Sequence, residues 1–350
     1  MSFPMNTFST LAAPLLEQPV LILESDDWGP APEEHAEALH GLRKLLTRHR
    51  DPTGHPAVMT LGVVLSIPHM EKILDTGEYA ARTLNEPQFA AVLEAMKKGA
   101  AEGAFHIQLH GMAHYWPDNL MAEIGRNPEV RRQLLEEPWH TERLPSWLQS
   151  RWIDGRRLPS TPLEATQIQQ AVQEEVALFE SCFGRPPSVV VPPTFVWDDS
   201  VERAYAEAGL TMLVTPGRRF TGRDEGGRLL PEDRIEINGR RRAEKLTTLV
   251  RDIYFEPALG HAPAAAVKQI QRKWRLREPA LLETHRFNFL GENKESAFAA
   301  VEQLLSEAKR KIPGLLFRPP QDAAGLLQRN PLVLLHTPSL LWRRLRPHAI

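Results

Sequence analysis

The chain has 350 residues, of which 42% are hydrophobic and 25% are charged, and its formal net charge is -2. This balance is that of an ordinary globular protein, and it excludes both a disordered chain and a strongly basic nucleic-acid-binding surface. The single cysteine, Cys182, excludes an internal disulfide bond, and no stretch has the ~18 uninterrupted apolar residues of a membrane-spanning helix. The first residues carry no Lys or Arg before a weak apolar stretch, so no signal peptide and a cytoplasmic location are expected.

Short apolar runs typical of strands alternate with amphipathic stretches typical of helices. In chain order the predicted elements are strand 20–25, helix 33–49, strand 58–66, helix 85–100, strand 104–111, helix 161–184, strand 188–195, helix 199–208, strand 211–216, a hairpin-like stretch at 217–244, strand 245–256, helix 263–275, strand 280–285, helix 294–310 and strand 314–319. The helix at 161–184 has the clearest ends. Thr161 is the predicted N-cap, Pro162 takes the first helical position, Glu164 completes a capping box, and Gly184 follows the end.

Seven or eight alternations of strand and helix predict a parallel sheet covered by helices. The number of strands favours a distorted (β/α) barrel with seven or eight strands, and a doubly wound open sheet is the alternative. We expect one catalytic domain over residues 1–350, with the barrel at about 18–320. A Trp-rich insertion at about 115–160 interrupts the pattern. For an extension at about 330–350 a surface helix is the favoured interpretation, and a partner contact or a weak association with anionic membrane are the alternatives.

Polar residues cluster where predicted strands end, which is where catalytic groups stand in a parallel barrel. The first strand ends at Asp26 and Asp27, and the third at His110 and His114. Two adjacent carboxylates repel each other, and a cation bound by one of them relieves that cost. Two imidazoles four residues apart across a glycine can reach the same point. Two His and one Asp therefore predict a metal site with positions open for water or substrate.

Such a metal makes hydroxide available near neutral pH. The carboxylate that does not bind the metal can accept the proton of the attacking water. His285, at the end of another predicted strand, can protonate the leaving group.

Four segments resemble the motifs of the NodB-type polysaccharide deacetylases, carbohydrate esterase family 4. They are SDDWG, LHGMAH, PPTF and ETHR, which begin at residues 25, 109, 192 and 283. Their order and spacing also resemble those of the family, and the resemblance spans roughly residues 18–320.

The resemblance implies a distorted (β/α) barrel that removes N- or O-acetyl groups from an acylated saccharide. Carried over by position, Asp26 would be the general base and His285 the general acid. Asp27, His110 and His114 would bind a divalent metal, usually zinc in this family, with cobalt, nickel or iron also possible.

Two departures place the chain on a divergent branch of the family it resembles. The third motif usually has an Arg two residues before the proline, a position that Val191 occupies here. Arg251, on another strand, is the candidate to replace that charge. The fifth motif has Glu283 and Thr284 before the histidine in place of a simple Leu-x-His, so the usual polymer substrates of the family need not apply.

Further residues near the motifs are candidates for substrate binding or for support of the site: Trp28, Pro193, Thr194, Phe195, Trp197, Arg251 and Asp252. A backbone N–H at Thr194 or Phe195 could stabilise an oxyanion. Trp28 and Trp197 either line the cleft or pack at the barrel mouth. The pair of Arg251 and Asp252 either tunes Asp26 or His285 or is a structural ion pair.

Two other interpretations of single residues stay open. His106 precedes His110 by four residues on the same strand face and is the main rival metal ligand. The tryptophans of the 115–160 insertion could stack on sugar rings, although anchoring the loop to the barrel is the favoured interpretation.

Three functions remain possible from the sequence. The first is a metal-dependent deacetylase, which in the cytoplasm would act on a soluble or lipid-linked saccharide. The second is a hydrolase of small non-sugar C–N bonds on the same scaffold. The third is an inactive barrel that binds carbohydrate, which the presence of all five motif residues disfavours.

Overall fold

The structure is a computed structural model that describes residues 16–242 and 246–326. Within them lie sixteen strands: β1 Val20–Trp28, β2 Met59–Val63, β3 Ser66–Pro68, β4 Ala81–Thr83, β5 Phe105–Leu109, β6 Ile153–Asp154, β7 Thr161–Pro162, β8 Val189–Val190, β9 Met212–Pro216, β10 Arg218–Arg223, β11 Leu229–Ile235, β12 Arg241–Arg242, β13 Leu246–Arg251, β14 Ile253–Tyr254, β15 Ala280–His285 and β16 Leu316–Phe317. The ten α-helices of the described residues are α1 Glu33–Arg48, α2 Met70–Thr76, α3 Ala90–Ala101, α4 Pro117–Arg126, α5 Pro128–Glu136, α6 Ala165–Phe183, α7 Asp199–Glu207, α8 Pro263–Arg275, α9 Lys294–Lys311 and α10 Pro320–Leu326.

The central sheet curls into a nearly closed barrel. Its strand order is β12, β13, β9, β8, β5, β2, β1, β15, β14, with β16 beside the start of β1. Every pairing is parallel except that of β12 with β13. Only Asp252 separates β13 from β14, yet β13 pairs with β9 and β14 pairs with β15. One run of chain therefore joins β13, next to one end of the sheet order, to β14 at the other end, which confirms the predicted distorted (β/α) barrel over the open sheet.

Apolar residues fill the space on both faces of the barrel wall. Outside, Leu21 and Leu23 of β1 pack with Leu39 and Leu42 of α1 in a large core between sheet and helices. Inside lies a smaller apolar cluster: Val20, Ile22, Val189, Val191, Met212, Val214, Leu249, Leu281 and Leu316. Since alternate strand residues point to opposite faces, the inward positions of β1 after Ile22 are Glu24 and Asp26. The interior thus changes from apolar to polar towards the carboxyl ends of the strands.

The start of α6 differs from the predicted one. Thr161 and Pro162 pair with Ile153–Asp154 as β7, so they are unavailable as N-cap and first helical residue. Glu164 caps the helix, and its capping box is completed by Gln167. The predicted end is confirmed, because Gly184 follows the helix with φ 68°.

The 115–160 insertion contains two helices, α4 and α5, that the sequence analysis did not predict. They share an apolar cluster with α2: Met70, Ile73, Ala113, Tyr115, Leu120, Ile124, Val130, Leu134, Leu144 and Leu148. The insertion is therefore a packed subregion beside the barrel mouth. The extension at 330–350, and the helix predicted there, lie outside the described residues.

Candidate metal centre and active site

Three buried side chains meet at the carboxyl end of the barrel. Nε2 of His114 lies 3.0 Å from Oδ1 of Asp27, and Nε2 of His110 lies 3.4 Å from the same oxygen. Asp27 is the penultimate residue of β1, and the two histidines follow β5. The structure thus brings together the three residues that the sequence analysis proposed as metal ligands.

Asp27 reaches this point because its backbone leaves the normal strand conformation. Its φ is 70°, in the left-handed region, and the pairing of β1 with β2 is irregular between Ser25 and Trp28. Asp26 points inward by the alternation of the strand, so Asp27 would otherwise point outward. The irregularity turns the second carboxylate inward as well, and both face one site.

The two imidazoles are held through their other ring nitrogens. Nδ1 of His110 lies 2.9 Å from the backbone oxygen of Val191, and Nδ1 of His114 lies 3.0 Å from Oγ1 of Thr141. These contacts leave both Nε2 atoms directed at Asp27. Such partners fix the orientation of metal-binding histidines.

Hydrogen bonds to Met112 hold the turn between the two histidines. The amide of Met112 donates to Oε2 of Glu175 (2.9 Å), and its carbonyl accepts from the amide of Ser66 (2.9 Å). Gly111 has φ 81°, and a Cβ there would lie 2.6 Å from Cγ of Pro193, so the residue must be glycine. Burial raises the pKa of Glu175 to about 7.

This donor set fits a divalent cation. One donor atom from each of Asp27, His110 and His114 lies within 4.8 Å of the others. Ligands ~2.0–2.2 Å from a tetrahedral zinc are roughly 3.3 Å apart, close to the spacing seen here. Burial disfavours the charge of Asp27, but His114 and hydrogen bonds from both histidines hold its pKa well below its usual range. An aspartate and two imidazoles leave coordination positions free for a substrate.

Asp26, the neighbouring carboxylate, is bound by Arg251 of β13. Nη1 of Arg251 lies 2.6 Å from Oδ2 of Asp26, and Nη2 lies 3.1 Å from Oδ1. Arg251 also donates to Glu24 through Nε (2.8 Å). Burial opposes the charge of Asp26, but Arg251, together with His110 and His285, lowers the pKa of this carboxylate. The charge that Val191 cannot supply therefore comes from another strand.

His285 stands at the end of β15, on the other side of Asp26. Its Nδ1 lies 2.6 Å from Oε1 of Glu256, which is itself fully buried. Burial alone would lower the pKa of His285, but the hydrogen bond with Glu256 and the charges of Asp27 and Glu283 raise it to about 10. Glu256 also accepts from Thr284 and Asn288. Glu256 was not among the residues proposed from the sequence, although it ends the predicted strand 245–256.

Part of the insertion covers this site. Thr141 contacts His114, and Glu142 binds Nη2 of Arg286 at 2.9 Å. Arg286 also donates to the backbone oxygen of Trp139. The segment 139–142 therefore lies against both the histidine turn and the end of β15.

The two tryptophans proposed at the cleft are packing residues. Trp28 is fully buried and donates to Oγ of Ser25 (2.9 Å). Trp197 is 1% exposed and donates to Oε1 of Glu202 (3.1 Å). Neither can line a cleft, because the indole of each is enclosed by the core.

The remaining candidates divide between the site and its surroundings. Asp252 binds Lys273 and lies on the opposite face of the barrel wall from Arg251, since adjacent strand residues point to opposite faces. Pro193 packs on Gly111. Thr194 and Phe195 both have left-handed φ values, 56° and 61°, and the Phe195 ring lies 5.9 Å from the Arg251 guanidinium.

His106 does not join the candidate metal centre. It begins the inward face of β5, two inward positions below His110. Burial lowers its pKa to about 4. Of the insertion tryptophans, Trp152 is buried, Trp116 lies over Arg151, and Trp147 is 45% exposed.

Comparison with known proteins yields matches of several kinds. The model of glycosyl hydrolase family 57 matches residues 134–270, less than half of the chain, and no curated protein sequence matches. Similar solved structures include the CE4 family pseudoenzyme of Bacillus anthracis, with 10% identity, a TM-score of 0.43, and coverage of 88% of this chain and 66% of that one. The family 4 carbohydrate esterase of Streptomyces lividans, solved with acetate, has 13% identity, a TM-score of 0.40, and coverage of 86% and 92%.

A third similar structure, the 4-alpha-glucanotransferase of Thermococcus litoralis, has 9% identity and a TM-score of 0.44, and the match covers 90% of this chain and 41% of that one. Family 4 carbohydrate esterases are thus among the structures similar to this chain, as the sequence resemblance led us to expect. Since fold alone does not fix function, function must be argued from the side chains. No helix within residues 16–242 and 246–326 is long and apolar enough to cross a membrane.

Proposed function

We propose that this chain is a metal-dependent hydrolase that removes an acyl group, with an acetylated carbohydrate as the favoured substrate. The observation that carries the proposal is the meeting of Asp27, His110 and His114 beside a second carboxylate. Oδ2 of Asp26 lies 4.0 Å from Nε2 of His110, so it borders the proposed metal centre without being part of the closest ligand set. The motif resemblance supports the acetyl group and the sugar.

Asp27, His110 and His114 would hold the cation, for which zinc is the first candidate. A cation there would supply Lewis acidity, polarising an acyl carbonyl and making hydroxide available near neutral pH. Asp26 is placed to accept the proton of the attacking water. Arg251 donates a hydrogen bond to each carboxylate oxygen of Asp26, which favours the ionised form and fixes the orientation of the carboxylate.

His285 is placed to protonate the leaving group. Glu256 engages Nδ1, so Nε2 is the nitrogen that faces the site. A pKa raised to about 10 keeps the imidazole protonated at neutral pH, as a general acid requires. The base and the acid therefore take opposite protonation states from two neighbouring environments.

The test is acetate release by protein of known metal content. The chain, stripped with a chelator and reloaded with zinc or cobalt, should release acetate from an N-acetylated saccharide. Asp26→Asn should abolish release while metal is retained. Asp252→Asn is the matched control, since this carboxylate binds Lys273 outside the barrel and its loss should spare activity. The proposal fails if the metal-loaded protein releases no acid from any saccharide, amide or ester in a broad panel.

A hydrolase of a small non-sugar C–N bond is the second candidate. It is favoured by the cover that Thr141 and Glu142 form over the site, and by the burial of Asp27, His110 and His114, each 5% exposed or less. Both features suit a small substrate. A panel of small amides beside acetylated mono- and oligosaccharides separates the two candidates by relative kcat/KM.

A further inference from the structure

Glu283 is a carboxylate of the site that the mechanism above does not use. It lies two residues before His285 on the same face of β15, and its side chain is 13% exposed. Its Oε1 is 3.1 Å from Nη1 of Arg251 and 3.7 Å from Nε2 of His285. One of its oxygens, a carboxylate oxygen of Asp26 and a ring nitrogen of His285 lie within 4.8 Å of one another. Glu283 therefore borders the space between the proposed base and the proposed acid.

The Glu283 carboxylate has unused capacity to accept hydrogen bonds. Its contacts with Arg251 and His285 are ion-pair contacts, and no hydrogen bond between described residues ends on its side-chain oxygens. By contrast Asp26 and Glu24, which share the same guanidinium, both accept hydrogen bonds from it. A largely buried carboxylate without hydrogen bonds is costly, and a donor on the substrate would remove that cost.

The position of Glu283 specifies where that donor must be. A general acid has to approach the leaving atom to about 2.6–3.2 Å. Since Oε1 of Glu283 lies 3.7 Å from Nε2 of His285, an atom about 3 Å from Nε2 can also lie about 3 Å from Oε1. The leaving atom itself is then the nearest partner for Glu283.

We propose that Glu283 is a specificity-determining residue that accepts a hydrogen bond from a leaving nitrogen and selects N-acyl over O-acyl substrates. An amide nitrogen carries an N–H for Glu283 and receives its new proton from His285, so the acyl–nitrogen bond breaks and an amine departs with its own hydrogen retained. An ester oxygen has only lone pairs to present, and these repel a carboxylate. The inference rests on the proposed function and narrows it to amides.

The test uses two substrates that differ only in the leaving atom, 4-nitroacetanilide and 4-nitrophenyl acetate. They are given to the metal-loaded wild type, Glu283→Leu and Glu283→Gln, and the ester rate of Asp27→Asn is subtracted as background. Glu283→Leu should lower kcat/KM for the anilide by about 10- to 100-fold and leave or raise that for the ester. Glu283→Gln keeps an oxygen acceptor, so its kcat/KM for the anilide should lie between that of the wild type and that of Glu283→Leu.

Glu24→Gln is the matched control. It also removes a carboxylate from Arg251, but Glu24 is fully buried below the site and bonded to Gln108. It should leave the ratio of amide to ester hydrolysis unchanged. A second readout is binding of both compounds by calorimetry to metal-loaded Asp26→Asn, with and without Glu283→Leu, where only the anilide should weaken.

Each other outcome overturns a defined part of the argument. Equal losses for both compounds in Glu283→Leu would make Glu283 a structural partner of Arg251, and the proposed hydrolase would stand. If the metal-loaded wild type neither turns over nor binds either compound, this inference is overturned, whereas the proposed function fails only if the broad panel described above also releases no acid. A second metal equivalent per chain that disappears in Glu283→Gln would show that the carboxylate binds a cation and not the substrate.

Discussion

The two halves of the candidate site are built in different ways. In the metal half, Nδ1 of His110 is hydrogen-bonded to a backbone carbonyl and Nδ1 of His114 to a threonine hydroxyl. Asp27 is the one anion among the three proposed ligands. In the proton-transfer half, every proposed actor is held by an opposite charge: Asp26 by Arg251, and His285 by Glu256. The metal half needs a bound cation to complete it, whereas the charges of the proton-transfer half are already neutralised by partners within the protein.

This contrast assigns different consequences to substitutions in the two halves. Changes in the metal half should alter metal affinity and leave folding nearly intact. Changes in the proton-transfer half should alter stability and the pH dependence of stability, because they leave a buried charge without its partner.

The largest expected effect is that of Asp27→Asn on metal binding. Asparagine keeps the shape of the side chain and tolerates the left-handed backbone, but it removes the only negative ligand, so zinc affinity should fall on the order of 1,000-fold. Competition with a chelating dye measures this. Asp26→Asn is the control and should bind zinc within a few-fold of wild type. Equal losses in both variants would break the distinction between the halves.

Arg251→Met should cause the largest loss of stability, about 3 to 5 kcal/mol, because Glu24, Asp26 and Glu283 lose their shared cation. Urea unfolding of the metal-free protein measures it.

Arg219→Met is the matched control for that variant. Arg219 is also buried and pairs with Glu202 and Glu232, away from the site. Its loss should cost comparable stability, but the protein that stays folded should keep its activity. An Arg251→Met protein as stable as wild type would contradict the ionic account.

Glu256→Gln should change the pH dependence of stability in metal-free protein. The folded pKa of His285, about 10, lies above its ordinary value of 6.5. The protonated imidazole therefore stabilises the fold fully below pH 6.5, and this stability is lost between pH 6.5 and 10. Removing the hydrogen bond from Glu256 should shrink that loss by on the order of 1.4 kcal/mol for each unit that the pKa falls.

Unfolding in urea at pH 6.5 and pH 10 compares wild type with this variant. An NMR titration of the His285 ring gives the pKa directly. If the pKa is unchanged in Glu256→Gln, the carboxylate does not control the protonation of His285.

The smallest effect is expected from Thr141→Val. The substitution keeps the volume but removes the partner of Nδ1 of His114, so zinc affinity should fall by about tenfold. Thr211→Val, at the opposite end of the barrel, removes a bond to the Ser188 carbonyl and should leave zinc affinity unchanged. A loss as large as that of Asp27→Asn would mean that Thr141 holds the whole turn and not only the imidazole.

Much of the fold could be predicted because local signals agreed with the tertiary structure. The apolar run before Asp26, the proline at 263 and the glycine at 184 mark elements whose bounds the structure reproduces closely. The predicted start of α6 was wrong because Thr161 pairs with Ile153–Asp154 as part of a strand. A local sequence pattern does not indicate which distant residues a segment pairs with. The two insertion helices were missed because their apolar residues are sparse and pack on α2.

For the site, the sequence could indicate which residues carry chemistry but not what holds them. Asp27, His110 and His114 were found because each follows a strand end in a recognisable motif. Thr141 and Glu256 were not proposed, since each acts through a contact with a residue far away in the chain, although the position of Glu256 at a predicted strand end was a usable signal.

The conformation of one residue also limits how this site can change over time. With Asp27 at φ 70°, both neighbouring carboxylates serve the same cavity, and β-branched or bulky side chains are strained at that position. Mutational drift at this point is therefore channelled towards aspartate, asparagine and glycine, and two of these three cannot bring a negative charge to the cation. A chain that loses the charge here keeps its barrel. Whether it retains the metal-binding carboxylate therefore depends on this one backbone angle more than on its core.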